Sequence, residues 1–271
     1  NANPTLSDSQ VQVGSGTGFF STAITGLNPD TEYFLRAYAT NSEGTAYGNE
    51  LSFTTQTSGS SCPATITDAD GNTYNTVLIG TQCWMAENLN VGNKIDASVI
   101  QTDNGIIEKY CYDNLTSNCD GFGGFYRWDE MMEYETTEGA QGICPVGWHI
   151  PTEAEWCELE NEADAGTVDC DTPYWRGTDC GGNLKQTGTT YWYSPNVGAT
   201  NSSGFTALPT GYYGSGYFSN YSSVSANWWS SNEYDVDDSY AWCRGLSYFR
   251  STSDRHYVTK GVGFSIRCLK D

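Results

Sequence analysis

The sequence predicts a mainly β (α+β) protein with short helices, organised as two domains of unequal size. Residues 31–41 alternate with period two, because Tyr33 and Leu35 fall on one face of a strand and Phe34 and Arg36 on the other. Outside this segment Gly, Ser, Thr, Asn and Tyr dominate, a composition typical of strands joined by long loops. The chain also has ten cysteines, and all nine tryptophans follow residue 83, which predicts one large core in the C-terminal part.

The net charge of the chain limits the kinds of partner that it can bind. The 271 residues carry a formal net charge of −21 at pH 7, and only 17% of them are charged. Such a field repels phosphate backbones and anionic membrane surfaces, so we expect no nucleic-acid partner. The same field is compatible with Ca²⁺ uptake or with solubility outside a cell.

The cysteines indicate the redox compartment. Ten cysteines without a CxxC pair predict five disulfides, and with only His149 and His256 as histidines metal ligation is a weaker reading. The chain starts at Asn1 with no Met, no signal peptide and no apolar run long enough to span a bilayer. We therefore expect an extracellular protein whose secretion signal was removed or lies outside this sequence.

The N-terminal domain is predicted at 1–57 and is followed by a small, polar linker at 58–61. Leu27 lies six residues before Tyr33, as in a tyrosine corner, and the segment GLNPDTEYFLRAYATNSEGTAYGNELSFTT ends in a second strand at 46–55. This segment resembles fibronectin type III domains of bacterial surface proteins. The resemblance implies a β-sandwich, and it concerns the fold alone.

The strands that should open such a sandwich are not found before this segment. Since seven strands need about 100 residues, we expect roughly three strands to be missing. Two explanations stay open: a truncated sequence, or a mature chain whose gap is filled by a strand from another molecule, which gives a filament when repeated head to tail. The candidate contacts for that assembly are Leu6, Val11, Val13, Phe20, Ile24, Leu35, Ala37 and Phe53.

The second domain is predicted at 62–271 and contains two helix signals. Thr152 and Glu155 form a capping box, after which Trp156, Leu159 and Ala163 recur near helical spacing. A second short helix is predicted around Phe125, Trp128 and Met132. The rest of the domain is predicted as strands and long loops.

Six motifs in 62–271 occur in the order of one known family. They are ITDADGNTYNTVLIGTQCWMAENL (66–89), FGGFYRWDEMM (122–132), ICPVGWHIPTEAEWCELE (143–160), ATNSSGFTALPTGYY (199–213), NWWSSNEY (227–234) and GFSIRCLKD (263–271). This domain closely resembles the Fibrobacter succinogenes major paralogous domain. The resemblance implies a C-type-lectin-like fold, related to the formylglycine-generating enzyme domain, in secreted or bacterial cell-surface proteins that mostly have no assigned activity.

A disulfide pairing follows from that resemblance as a proposal. As in lectin-like folds, Cys144 with Cys268 would tie the ends of the domain together. The remaining expected pairs are Cys62–Cys83, Cys111–Cys119, Cys157–Cys170 and, by remainder, Cys180–Cys243.

We expect no enzyme activity. The related formylglycine-generating domains use a cysteine pair in a context that Cys243, in AWCRGL, matches only faintly. His149 lies in GWHIP, a junction typical of a structural histidine, and no nucleophile–base pair is recognisable.

Calcium is the one candidate cofactor. Residues 68–72 resemble the start of a Ca²⁺ loop but lack the glutamate at its twelfth position, so a hairpin turn is favoured. A second candidate Ca²⁺ site is the acidic cluster Glu233, Asp235, Asp237 and Asp238.

Aromatic side chains on a Gly/Ser-rich loop are the candidates for ligand binding, although packing in the core is the alternative for about half of them. They are Tyr212, Tyr213, Tyr217, Phe218 and Tyr221. The favoured function is a non-catalytic structural subunit of an extracellular filament or assembly, with self-association or a strand-donating partner. The alternative is a monomeric adhesin or carbohydrate-binding module that uses the aromatic loop.

Overall fold

The computed structural model describes residues 3–11, 13–16, 27–28, 31–54, 62–214, 216–219 and 222–271. The chain divides into two compact units, Asn1–Ser61 and Cys62–Asp271. The predicted linker at 58–61 and the predicted contacts Phe20 and Ile24 lie outside the described residues.

The described part of the N-terminal unit contains one two-stranded antiparallel sheet, formed by β1 (Glu32–Asn41) and β2 (Gly44–Thr54). The strand predicted at 31–41 is confirmed. The turn between the strands is fixed by the Asn41 side chain, whose Oδ1 accepts hydrogen bonds from the backbone N–H groups of Glu43 and Gly44, at 2.9 and 3.2 Å. A tight hairpin with a defined register results.

Cross-strand pairs place four large apolar side chains on one face of this hairpin. Tyr33 lies opposite Phe53, with ring centroids 6.0 Å apart, and Leu35 lies opposite Leu51. The Tyr33 hydroxyl accepts a hydrogen bond from the Asn28 backbone N–H at 2.8 Å, a contact of the tyrosine-corner kind. The position of Tyr33 at the start of its strand is therefore fixed by local chain geometry.

The C-terminal unit is mainly β, as predicted. Its described strands are β3 (Thr65–Thr67), β4 (Thr73–Ile79), β5 (Gln82–Met85), β6 (Asn93–Lys94), β7 (Glu108–Lys109), β8 (Tyr126–Arg127), β9 (Trp148–His149), β10 (Tyr174–Arg176), β11 (Tyr213–Gly214), β12 (Tyr217–Phe218), β13 (Ser225–Glu233), β14 (Tyr240–Ser247), β15 (Ser253–Thr259), β16 (Gly263–Phe264) and β17 (Leu269–Lys270). They form a five-stranded sheet in the order β3-β4-β5-β17-β9, two four-stranded sheets in the orders β10-β15-β14-β13 and β12-β11-β16-β8, and the parallel pair β6-β7.

In the part of the chain that the structure describes, four short α-helices interrupt the strands. They are α1 (Thr116–Phe122), α2 (Trp128–Met131), α3 (Glu153–Ala163) and α4 (Cys180–Leu184). The capping box predicted at the start of α3 is confirmed, because Thr152 and Glu155 exchange both hydrogen bonds. The predicted second helix is α2. Trp156, Leu159 and Ala163 are buried, as their spacing on α3 requires.

Tryptophan fills the core of this unit. Every tryptophan except Trp175 is buried. Trp84 and Trp156 pack with ring centroids 4.8 Å apart in one hydrophobic cluster, and Trp229 packs 4.6 Å from Phe264 in a second cluster. The apolar material that follows residue 83 therefore supplies the large core that the composition predicts.

A buried ion network holds α3 against the β10-β15-β14-β13 sheet. Glu160 on α3 accepts hydrogen bonds from Arg176 of β10 and, at 3.1 Å, from Arg244 of β14. Arg244 also pairs with Glu153 at 2.6 Å. Glu160 and both arginines are buried, so each charge depends on its partner for compensation.

Four of the five proposed disulfides are present: Cys62–Cys83, Cys111–Cys119, Cys144–Cys268 and Cys157–Cys170. They enclose sequence separations of 21, 8, 124 and 13 residues, respectively. The longest of them joins Cys144 to Cys268, which lies directly before β17, and closes most of the unit into one covalent loop.

The fifth proposed pair is wrong, because Cys180 and Cys243 are buried free thiols. Cys180 Sγ contacts the Ser253 hydroxyl at 3.3 Å, whereas Cys243 lies opposite His256 on the neighbouring strand. Ser253 and His256 are three positions apart on β15, so their side chains point to opposite faces of the sheet. The two thiols accordingly belong to different hydrophobic clusters.

Candidate functional site

The N-terminal hairpin exposes most of the predicted assembly contacts. No described residue of 3–54 is buried. Leu6, Val11 and Val13 have exposed fractions of 39%, 52% and 44%, and Phe53 of 38%. Among the other predicted contacts, Leu35 is half-buried and Ala37 is exposed. Leu51, which sequence reasoning missed, is the most exposed of the large apolar residues here, at 62%, and shares a face with Leu35 and Phe53.

The aromatic loop predicted to bind ligands is mostly part of the core. Tyr213 is buried, stacks on Tyr110 at 4.0 Å, and donates a hydrogen bond to the Ala97 carbonyl at 2.7 Å. Phe218 packs against Tyr213 at 5.6 Å, and Tyr212 contacts Phe264 edge-on at 6.3 Å.

Tyr217, 77% exposed, is the one ring of this group that the structure places in solvent, and Tyr221 lies outside the described residues. Tyr213 and Phe218 therefore pack in the core, which is the alternative that the sequence left open for about half of these rings. Period-two spacing on a short hairpin explains the burial, because alternate side chains of β11 and β12 face the core.

The acidic loop does not assemble the predicted calcium ligands. Glu233 forms an ion pair with Lys260, and Asp237 Oδ1 accepts hydrogen bonds from the Ser239 backbone and hydroxyl, at 3.0 and 2.6 Å. Asp235 and Asp238 are exposed. Within the described ranges, no three His, Cys, Asp or Glu side chains lie close enough together to hold a metal ion.

The turn at 68–72 is a hairpin turn between β3 and β4, as favoured from the sequence. Asp68 accepts hydrogen bonds from the backbone N–H groups of Asp70 and Asn72, at 3.0 and 2.9 Å, and from the Tyr74 hydroxyl at 2.5 Å. These contacts occupy both of its carboxylate oxygens. Burial and the bond to Asp68 raise the pKa of Tyr74, which keeps that hydroxyl protonated as a donor.

His149 has two carboxylate partners and a structural position. Its Nδ1 lies 2.7 Å from Asp271, and its Nε2 lies 3.0 Å from Glu155 of the α3 capping box. Burial lowers the pKa of His149, but hydrogen bonds to Glu155 and Asp271 outweigh that effect, so the pKa is raised above its ordinary value. The predicted hydrogen bonding of His149 is confirmed.

A cleft of about 430 Å³, which we call the Asn88 cleft, opens between the segment 86–90, helix α1 and the loop containing Gln186 and Tyr191. Asn88 holds its base together. The Asn88 Nδ2 donates to the Phe122 carbonyl at 2.9 Å, and its Oδ1 accepts from Trp228 Nε1 and Arg267 Nε, at 2.9 and 3.0 Å. One buried amide therefore joins α1, β13 and the C-terminal segment.

Arg267 closes the floor of the Asn88 cleft. Its guanidinium donates to the backbone carbonyls of Met85, Phe205 and Thr206, and it lies over the Phe205 ring at 4.2 Å. Burial lowers the pKa of Arg267 to about 9. Because its hydrogen atoms are directed to protein oxygens, Arg267 acts as a packing element of the floor.

Sequence reasoning missed the Asn88 cleft. Its lining residues come from four segments, near 72–74, 86–90, 119–123 and 186–208, together with Arg267. The motif segments 66–89 and 263–271 carry two of its central residues, but spacing along the chain gives no sign that these segments meet in a cleft.

The geometry defines a disulfide-bonded, mainly β domain. None of the helices in the described ranges is both long and apolar enough to cross a membrane. Residues 77–270 match the family model of the Fibrobacter succinogenes major domain, and the chain belongs to this family. Comparisons with curated proteins and with solved structures give no match.

Proposed function

We propose that this protein is a non-catalytic structural subunit of an extracellular, bacterial cell-surface assembly, built by strand addition to the β1–β2 sheet. The partner is a strand from a second copy of the chain. Repeating such a heterologous contact gives an open filament. Membership of the Fibrobacter succinogenes major domain family and the four disulfides support the cell-surface setting.

The observation that carries this proposal is the exposed apolar face of a two-stranded sheet. An isolated two-stranded hairpin is marginally stable in water, and it needs further strands or a packing partner. Tyr33, Leu35, Leu51 and Phe53 share one face without any of them being buried. Covering that face and pairing an edge of the sheet, which has no further strand among the described residues, would stabilise the hairpin in one step.

The partner strand need not be unusual in sequence. Main-chain hydrogen bonds supply the affinity of an added strand, and alternate side chains supply the specificity. The exposed segment containing Leu6, Val11 and Val13 has the apolar side chains that such a strand would insert. Each copy of the chain would then carry both surfaces that a head-to-tail contact needs, which are the donated segment and the β1–β2 face.

The two free thiols support a function that uses no reactive cysteine. Cys180 and Cys243 are both buried. Burial raises the pKa of Cys180 to about 12 and that of Cys243 well above its ordinary value. The thiolate, which is the nucleophilic form of cysteine, is therefore disfavoured at both positions.

Assembly is tested by size exclusion with light scattering and by negative-stain microscopy over a range of protein concentrations. We expect concentration-dependent oligomers of the wild-type chain. Leu51→Lys should raise the concentration needed for assembly by about tenfold or more, because it puts a charge on the apolar face. Leu78→Lys is the matched control, since Leu78 is 59% exposed on β4 of the other unit and should leave assembly unchanged.

Neither substitution removes a buried side chain, so both variants should keep the wild-type thermal unfolding temperature. A wild-type chain that stays monomeric at the highest concentration contradicts the proposal. Assembly that Leu51→Lys and Leu78→Lys affect equally contradicts the role given to the β1–β2 face.

A further inference from the structure

We infer that the Asn88 cleft is a binding site for a neutral saccharide. All residues that line the cleft belong to the C-terminal unit, none of them is one of the aromatic-loop candidates, and the inference does not rest on assembly. Its volume of about 430 Å³ lies within the range of roughly 300–1,000 Å³ typical of small-ligand sites. One or two sugar rings fill such a space.

The base of the cleft is fixed before any ligand enters. Asn88 has three hydrogen-bond partners that come from α1, β13 and the C-terminal segment. Arg267, on the floor, is held by three backbone carbonyls and by Asn88. A site whose supporting groups are already hydrogen-bonded loses little freedom when a ligand binds.

The polar side chains that line the cleft suit a ligand rich in hydroxyl groups. Four of them are amides, Asn72, Asn88, Asn90 and Gln186, and an amide both donates and accepts hydrogen bonds. A sugar hydroxyl does the same. Asn90 and Gln186 are half-buried, so each of these two lining residues keeps some surface open to a ligand.

Charge at the cleft argues against an anionic ligand. Glu87 and Asp120 are exposed lining residues, and both carry negative charge. Arg267 is buried and its donors are directed to protein oxygens, so it is not free to pair with a ligand phosphate, sulfate or carboxylate. A neutral ligand that donates hydrogen bonds is not repelled by these two carboxylates.

An aromatic side chain at the cleft supplies the apolar part of the contact. Tyr191 is 41% exposed, lines the cleft, and is held edge-on by Phe122 with ring centroids 5.8 Å apart. Sugars present C–H groups on one face, and an exposed ring with a fixed orientation packs against them. Amide groups together with a positioned tyrosine favour a saccharide over a peptide.

Gly121 gives a way to close the cleft without disturbing the fold. It lies in α1 and lines the cleft, and a Cβ added to it meets no atom within 4 Å. Gly121→Trp should therefore fill the cleft, while Gly121→Ala should add a methyl group and leave the space open. Both replacements also favour the helical conformation over glycine.

The experiment measures binding of the full chain to a panel of neutral glucose, xylose, mannose and galactose oligosaccharides, by glycan array and then by calorimetry. A sulfated oligosaccharide and a lysine-rich peptide are included as probes of other chemistry. We expect at least one neutral oligosaccharide to bind. Gly121→Trp should abolish that binding, and Tyr191→Ala should weaken it about tenfold.

Two matched controls separate the cleft from the general surface. Gly121→Ala should bind within about twofold of wild type, as should Tyr193→Ala, which removes a 60% exposed tyrosine two positions along the same loop. Thermal unfolding of each variant reports its fold. Because Tyr191 is exposed, Tyr191→Ala decides the question even if Gly121→Trp fails to fold.

Three outcomes would overturn the inference. The first is a wild-type chain that binds none of the neutral oligosaccharides. The second is binding that Tyr191→Ala and a folded Gly121→Trp leave intact, which would place the sugar elsewhere. The third is binding of only the sulfated oligosaccharide or the peptide, lost in Gly121→Trp, which would assign the cleft to a different ligand.

Discussion

The two units of this protein differ in strand length and in how much apolar surface they bury. The N-terminal hairpin contains two of the longest strands in the chain, of 10 and 11 residues, yet no residue described at 3–54 is buried. The C-terminal unit is built largely from strands of two to four residues, and it buries nearly all of its tryptophans. Strand length therefore does not decide how many side chains a sheet buries.

Covalent and ionic connections account for the difference. Short strands bury little area each, and the C-terminal unit joins them with four disulfides and a buried ion network around Glu160. The N-terminal segment has no cysteine before Cys62 and no tryptophan. The long hairpin has no buried residue among those described and leaves its apolar face exposed, whereas the short, cross-linked strands support a cleft.

The largest effect is expected from removing the longest covalent loop. Replacing Cys144 and Cys268 together by Ala should lower the free energy of unfolding of the C-terminal unit by about 4 to 5 kcal/mol, because a loop of 124 residues is released in the unfolded state. Chemical denaturation followed by tryptophan fluorescence measures the change. All tryptophans belong to this unit, so the signal reports it alone.

The matched variant removes Cys111 and Cys119, which enclose only 8 residues, and should cost about 2.5 kcal/mol. Hydrogen exchange in β1 and β2 should be the same in both variants and in wild type. Equal losses from the two pairs would mean that native-state contacts, and not loop closure, decide the stability of this unit.

The second effect concerns the buried ion network. Glu160→Gln removes the charge that compensates Arg176 and Arg244, and it should cost about 3 kcal/mol, because two buried guanidinium groups lose their common partner. Glu158→Gln, on the exposed side of the same helix, should change stability by less than about 0.5 kcal/mol. A loss of similar size in both variants would show that helix charge in general, and not the network, is responsible.

The smallest effect is a pH dependence in the C-terminal unit. The folded-state pKa of His149 is raised, so its contribution is fully present below its ordinary pKa of about 6.5 and is lost as the pH rises through the folded value. Stability should fall by less than about 1 kcal/mol between about pH 6 and pH 8. Thermal unfolding across that range measures the slope.

Glu155→Gln sharpens the pH experiment, because glutamine can still serve in the capping box while the charge facing His149 is removed. The slope should become shallower in Glu155→Gln and vanish in His149→Gln. A slope that persists in His149→Gln would have to come from other titrating groups and would remove His149 from the explanation.

Features set by nearby residues were predictable from the sequence. The capping box at Thr152, the strand at 31–41 and the turn at Asp68 each depend on side chains a few positions apart, and all three are present. The pairing of Cys144 with Cys268 spans most of the domain, and it came from family resemblance, since spacing alone does not determine it.

Features set by which face a strand presents were not predictable. Pairing Cys180 with Cys243 by remainder ignored that two cysteines near one strand can lie on opposite sides of its sheet. Tyr213 and Phe218 were candidates for ligand binding because they lie among glycines and serines, but they pack against Tyr110 and Tyr112 from a distant segment. The Asn88 cleft was not predicted either, because the segments that form its walls are far apart in the sequence and meet only in the folded chain.

The disulfide between Cys62 and Cys83 has a mechanical consequence. Tension that reaches the C-terminal unit from residues before Cys62 passes directly into this covalent bond and from there into β5, which is paired with β4 on one side and β17 on the other. Strand β3 and the turn after it lie inside the closed loop and bear none of that load. A C-terminal unit pulled from this side would resist unravelling at Cys62.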